Sequence, residues 1–227
     1  MRGYPFATDS LGCLLLALAG CSSAPETGFP AAPPKISITA LSVEVPEREL
    51  AFSDARLALE QLLFVPCDPQ PAKLGTRNFR INLLVYPPSS LTLDSFVAEY
   101  CSIQADLAPP STELPTTHLA GTRADGTPFE LTSRQTLALD LTAPAGQVFN
   151  PTKLVLGADL ATWLADVDLD AAEVTDDSVL IDADHNAELL ESFEAATVSA
   201  LSLYFDANDD GLLTDDELEP VAVATER

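Results

Sequence analysis

The sequence predicts a mainly β chain: an antiparallel β-sandwich or barrel-like domain, followed by a C-terminal helix and a single acidic loop of twelve residues. Three observations lead there. From residue 36 to 158 apolar side chains tend to recur at every second position, the repeat of a half-buried strand. Pro87-Pro88, Pro109-Pro110, Asp125-Gly126 and Pro151 cut that pattern into short pieces, as turns between strands require. Beyond residue 180 the period lengthens, and Leu190, Phe193, Thr197, Leu201 and Tyr204 stand three or four apart, on one helix face. The chain thus divides into a leader at 1–21, a tether at 22–35, a β domain at 36–180 and a helix with its loop at 181–227.

In the leader, Arg2 supplies positive charge, and Leu11 to Gly20 form an apolar run too short to span a bilayer. The run ends in Leu18-Ala19-Gly20-Cys21, which resembles the lipobox of bacterial lipoproteins. The resemblance implies that Cys21 is diacylated and becomes the mature N-terminus. Cys13 is the poorer acceptor, because little apolar sequence precedes it. The lipobox thus implies a cell-envelope protein, held to the membrane by the lipid on Cys21, on the periplasmic or surface face of the outer membrane. Residues 22–35 include Pro25, Pro30, Pro33 and Pro34. They form a semi-rigid tether with a reach of roughly 40 Å.

The β domain opens with Ile36, Ile38 and Ala40, then slips in phase to Leu41, Val43 and Val45, as a bulge would produce. Phe79, Ile81, Leu83 and Val85 form a second alternating run, and Leu137, Leu139 and Leu141 a third. Further strands are expected at 56–66, 100–107, 117–122, 128–133 and 152–158, with Asp125-Gly126 as the hairpin turn between two of them. This layout resembles uncharacterised β-sandwich lipoproteins of bacteria.

Cys67 and Cys101 are the cysteines left after the leader, and an isolated even pair in an exported chain is most simply a disulfide. The functional alternative joins them to His118 in a copper or zinc site. His118 and His185 are the chain's two histidines, however, and a metal site needs more well-placed ligands than these.

Trp163, the one tryptophan, precedes Asp166, Asp168 and Asp170. It reads as a packing anchor, with a sugar platform as the alternative. The three aspartates imitate the first ligands of a calcium loop, but Ala171 then stands where glycine is needed and Glu173 where an apolar residue belongs. Asp182, Asp184 and Asn186 fail in the same way, with Phe193 at the closing position. These acids read as a solvated face, a looser second ion site being the alternative.

The helix is expected over Asn186 to Phe205, capped by Asn186 or Asp184, with Glu188 and Glu191 at the positive end of its dipole. It leads into Asp206-Ala207-Asn208-Asp209-Asp210-Gly211-Leu212-Leu213-Thr214-Asp215-Asp216-Glu217. This stretch resembles the calcium loop of the EF-hand family. Asp206, Asn208, Asp210 and Thr214 supply side-chain oxygens at the ligand positions, Leu212 a backbone carbonyl, and Glu217 the closing carboxylate. Gly211 falls at the sharp turn, where a residue without Cβ is wanted. The resemblance implies a bound Ca²⁺ wrapped by hard oxygens. Pro220 cuts the exiting helix short and no partner loop exists, which favours a structural ion over a switch.

Composition narrows the functions. With 11 basic and 35 acidic residues the net charge is −24, which repels nucleic acid and anionic lipid surfaces. No nucleophile elbow, zinc-binding helix motif or phosphate loop occurs, so no enzyme is expected. The expected function is a calcium-stabilised structural or ligand-binding module of the envelope, with an envelope protein or polysaccharide as a possible partner. Two alternatives stand beside it. One is a carbohydrate-binding or glycoside-hydrolysing protein that uses Trp163 and the acids around it; the other is a copper-handling protein.

Overall fold

The longest element is a seventeen-residue strand, β3 (Leu50–Pro66), and its side-chain pattern explains the larger of two sheets. Ala55, Leu57 and Leu59 are buried on one face; the buried set then shifts by one to Leu62 and Phe64. The shift coincides with a register break between Leu59 and Gln61, where a bulge re-aims the pleat. The first half of β3 pairs with β7 (Thr117–Thr122), and the second with β6 (Tyr100–Leu107). The strand β4 (Lys73–Asn82) also pairs along it. From β7 the sheet continues to β8 (Pro128–Ser133), β12 (Ser178–Ile181) and β11 (Val174–Thr175). From β6 it continues to β9 (Leu137–Thr142) and β15 (Thr225–Glu226), and β2 (Glu44–Val45) joins β3.

The smaller sheet runs in the order β14 (Ala222–Val223), β13 (Leu201–Phe205), β10 (Leu154–Ala158), β1 (Lys35–Ala40), β5 (Ser89–Thr92). Every residue of β10 is buried, as expected of an inner strand covered on both faces. Two pairings are parallel, β1 with β10 and β12 with β8, so the otherwise antiparallel sheets are mixed. Ile36, Ile38 and Leu203 from one sheet share a single apolar cluster with Phe64, Ile103 and Leu119 from the other. A short helix, α1 (Leu160–Trp163), and a longer one, α2 (Ala187–Ala196), add Trp163 and Phe193 to that cluster.

This computed structural model describes residues 35–41, 44–45, 49–69, 71–92, 99–145, 147–149, 154–208 and 210–227. The leader, Cys21 and the tether up to Pro34 lie outside the described residues, as does Asp209.

The mainly β architecture and the strands at 100–107, 117–122 and 128–133 are as the sequence indicates. The Asp125-Gly126 hairpin is present, with Gly126 at φ +84 and Arg123 N–H donating to Thr127 O. Elsewhere the structure departs from the sequence expectation. The slip after Ala40 is no bulge: β1 ends there, and β2 pairs with β3 in the other sheet. The helix expected over 186–205 stops at Ala196, and Leu201–Phe205 is instead the strand β13. Its residues Leu201 and Tyr204 continue the helical repeat, yet sheet pairing with β10 claims them. β12 runs through residues 180 and 181. Cys67 and Cys101 form the expected disulfide, closing a loop of sequence separation 34.

Candidate functional site

The strand β13 delivers the chain into the acidic loop. Asp206, at its end, is only 3% exposed. Its Oδ2 accepts from Gly211 N–H at 2.7 Å and its Oδ1 from Asp210 N–H at 3.3 Å. Asn208 Oδ1 also accepts from Asp210 N–H, at 2.9 Å, and Asp210 Oδ1 accepts from Leu212 N–H at 2.8 Å. Successive short side chains thus turn the backbone inward around their own oxygens. Gly211 makes the tightest bend at φ +80, and a Cβ built there would lie 2.8 Å from Ser37 Oγ on β1. The loop is therefore pressed against the smaller sheet.

Glu217 closes the loop from a single 3-10 turn, Asp215–Glu217. Its Oε2 accepts from Thr214 N–H at 2.8 Å and from Thr214 Oγ1 at 2.7 Å. Its Oε1 accepts from Ala207 N–H at 2.7 Å, across the loop mouth. The Thr214 N–H, foremost among these donors, holds the Glu217 carboxyl below the usual carboxylate range. Asp206, Asn208, Asp210, Thr214 and Glu217 thus share one short loop, with Leu212 between Asp210 and Thr214. Among the described residues no group of three or more His, Cys, Asp or Glu side chains is arranged to hold a metal ion. The frame also differs from the EF-hand pattern: a strand enters the loop and a 3-10 turn leaves it.

Past the loop the chain returns to both sheets. Leu203 O accepts from Val221 N–H, and β14 then pairs with β13 in the smaller sheet. A few residues later β15 pairs with β9 in the larger one. The C-terminal segment thereby joins the edges of the two sheets.

The acidic stretch before α2 is the solvated face the sequence suggests. Val167 and Leu169 are buried while Asp166, Asp168 and Asp170 point outward. Asp168 Oδ1 accepts from the N–H groups of Asp170 and Ala171, and Asp170 pairs with Arg123 at 2.7 Å. Asp182 is bound up locally too, accepting from Asp184 N–H and His185 N–H and facing His185 Nδ1 at 2.9 Å. Burial pushes the Asp182 carboxyl up, but these donors outweigh it and leave it below the usual range. Trp163 is 0% exposed and stacks on Phe193 with ring centres 5.4 Å apart. It is a packing anchor, and a sugar cannot reach it.

A second polar constellation lies on the outer face of the larger sheet. Cross-strand register sets Arg56 of β3 opposite His118 of β7, and His118 opposite Thr132 of β8. His118 Nε2 meets Glu130 Oε1 at 3.1 Å. Its Nδ1 stands 3.2 Å from Asp54 Oδ2 without hydrogen-bond alignment. Asp54 Oδ1 accepts from Arg56 Nε at 2.9 Å. These residues line an open basin of about 500 Å³ with Arg80, Glu113 and Arg134. In the sequence His118 has no neighbour that marks it. The signal that bears on it is the outward phase of β3, which places Asp54 and Arg56 on one face while Ala55 between them points into the core.

No protein-family model matches the chain, and no curated protein matches it in sequence. Among solved structures it is similar to MbnP from Methylosinus trichosporium, with a TM-score of 0.51 at 9% identity. The match covers 86% of this chain and 98% of that one. The likeness is one of fold.

Proposed function

We propose that the chain is a non-enzymatic, calcium-binding protein of the cell envelope, anchored by lipid on Cys21, whose ion fastens the C-terminal segment to the two sheets. The observation that carries this reading is the placement of the loop. It packs against β1 at Ser37, and the chain leaving it supplies an edge strand to each sheet. Asp206, Asn208, Asp210, Thr214, Glu217 and the Leu212 carbonyl would hold the ion, all through hard oxygens. The ion would supply concentrated positive charge where Asp206 and Glu217 are withdrawn from water. The bends at Asp206, Asn208 and Asp210 and the left-handed Gly211 already give the backbone path such a loop needs. A ligand held by so fixed a scaffold stabilises the fold, and no hinge between long helices is present among the described residues to convert it into a signal.

The test is a thermal melt with and without Ca²⁺. Extracellular calcium modules bind at about 10⁻⁴ to 10⁻³ M. At a hundredfold excess over the dissociation constant, an ion bound only by the folded state adds about 2.7 kcal/mol. That corresponds to a rise in Tm of roughly 5–10 °C for a domain of this size. Glu217→Ala is expected to abolish most of the rise. A melt indifferent to both calcium and chelator overturns the reading, and a copper-specific shift in its place favours the copper-handling alternative. The anchor is tested separately: fatty-acid labelling in cells is expected to mark the native chain and not Cys21→Ser.

A further inference from the structure

We propose that the basin on the outer face of the larger sheet is a binding site for a small organic anion, gripped by Arg80 and Arg134. Acidic residues outnumber lysine and arginine by 35 to 11, so an arginine on this surface has many carboxylates within reach of chance. Three described arginines are indeed paired: Arg56 with Asp54, Arg123 with Asp170, Arg227 with Asp106. Arg80 and Arg134 line the basin, and among the described residues neither has a carboxylate partner. Arg134 Nη1 donates only to a neutral acceptor, the Thr112 carbonyl, at 2.7 Å.

Two of the three acids that line the basin, Asp54 and Glu130, are drawn to other partners, and Glu113 stands at its rim. Asp54 is drawn to Arg56 and His118, and Glu130 to His118. Arg80 rises from β4, two residues before Asn82, and Asn82 lies opposite Arg56 in the ladder. Arg134 comes directly after β8. β4 lies beside β3 and β8 beside β7, so Arg80 and Arg134 come to the basin from either side of the β3–β7 pair. A guanidinium presents a planar fork of donors that fits a carboxylate or phosphate with two parallel hydrogen bonds. The basin, at about 500 Å³, lies in the size range of small-molecule sites and far exceeds a monatomic ion. The overall negative charge repels anions at long range, so the site would select those whose oxyanion groups reach the arginines at contact.

This site shares no residue with the calcium loop, and its test is run in calcium-free buffer so that the two readings fail separately. Succinate and inorganic phosphate are titrated calorimetrically into the full mature chain at low ionic strength, one probe for each oxyanion class. Saturable binding of one equivalent of either is expected. Arg80→Gln and Arg134→Gln are each expected to weaken it about tenfold or more, as loss of a charge-assisted hydrogen bond does. Arg227→Gln, at a guanidinium already paired with Asp106, is expected to leave it within about twofold. Absence of saturable binding of both probes, or equal affinity in the Arg80→Gln/Arg134→Gln double variant, overturns the proposal. If a variant loses its β-sheet circular dichroism, the native chain decides by ¹⁵N-arginine spectra. Probe-dependent movement of the Arg80 and Arg134 Nε–H signals supports the site, and movement of neither refutes it.

Discussion

Gly211→Ala is the sharpest probe of how the acidic loop is seated. The substitution meets two separate penalties. At φ +80 a residue with a Cβ is strained, at about 1–2 kcal/mol. The new methyl would also stand 2.8 Å from Ser37 Oγ, so the hydroxyl must leave its preferred rotamer, at roughly 0.5–1.5 kcal/mol. Together they amount to about 1.5–3.5 kcal/mol, or a fall in Tm of roughly 3–14 °C. Ser37→Ala separates the two. It removes Oγ and leaves only Ser37 Cβ, 3.5 Å away, which is ordinary contact. The cost of Gly211→Ala in that background is expected to shrink to the backbone strain alone, leaving a coupling of about 1 kcal/mol. Urea melts of the four proteins, followed by circular dichroism, measure it. An identical cost with and without the Ser37 hydroxyl would refute the packing of the loop on β1, and with it the placement that supports calcium stabilisation.

Further outcomes are expected. Thiol titration of the denatured, unreduced chain is expected to find neither Cys67 nor Cys101 free, and replacing both with serine to cost about 4 kcal/mol by loop-entropy arithmetic for a separation of 34. Trp163→Ala is expected to cost about 3–5 kcal/mol, and Trp163→Phe markedly less, since Phe keeps the stack on Phe193 and removes an indole N–H that has no partner. Fluorescence of the native tryptophan is expected to resist aqueous quenchers, and ready quenching would contradict its burial. Acid is expected to destabilise the fold below about pH 4. Both Asp182 and Glu217 titrate below their ordinary values of 3.8 and 4.5, so each adds stability above those values and loses it as pH falls through the folded-state value. Asp182→Asn is expected to flatten that part of the stability–pH curve, and an unchanged curve would show that its donors do not favour the charged form.

Local rules reached a definite part of this protein. Period-two alternation located β6, β7 and β8 because each buries one face, and burial of alternate residues is written directly in sequence. The Asp125-Gly126 turn was legible because a left-handed residue there demands glycine. The cysteine pair was legible because only two cysteines follow the leader, an even and isolated pair. The oxygen pattern from Asp206 to Glu217 was equally plain, since the side chains that bend the loop are those that name it.

Tertiary structure decided what those pieces are attached to. Leu201–Phe205 satisfies a helical repeat as a sequence, but its backbone groups are taken by β10, and pairing with a strand more than forty residues earlier outweighs local preference. The break after Ala40 signals a passage between sheets, which no local phase slip can distinguish from a bulge. Trp163 beside three aspartates suggested a sugar platform as readily as an anchor, and only the position of Phe193 on α2 closed it off from solvent. The basin needed the fold entirely. Asp54, Arg80, His118, Glu130 and Arg134 come from four strands and a turn spread over eighty residues of sequence, and nothing in their local spacing brings them together. Charged side chains carry no burial period of their own, so their grouping is set by strand register, a property of the whole sheet.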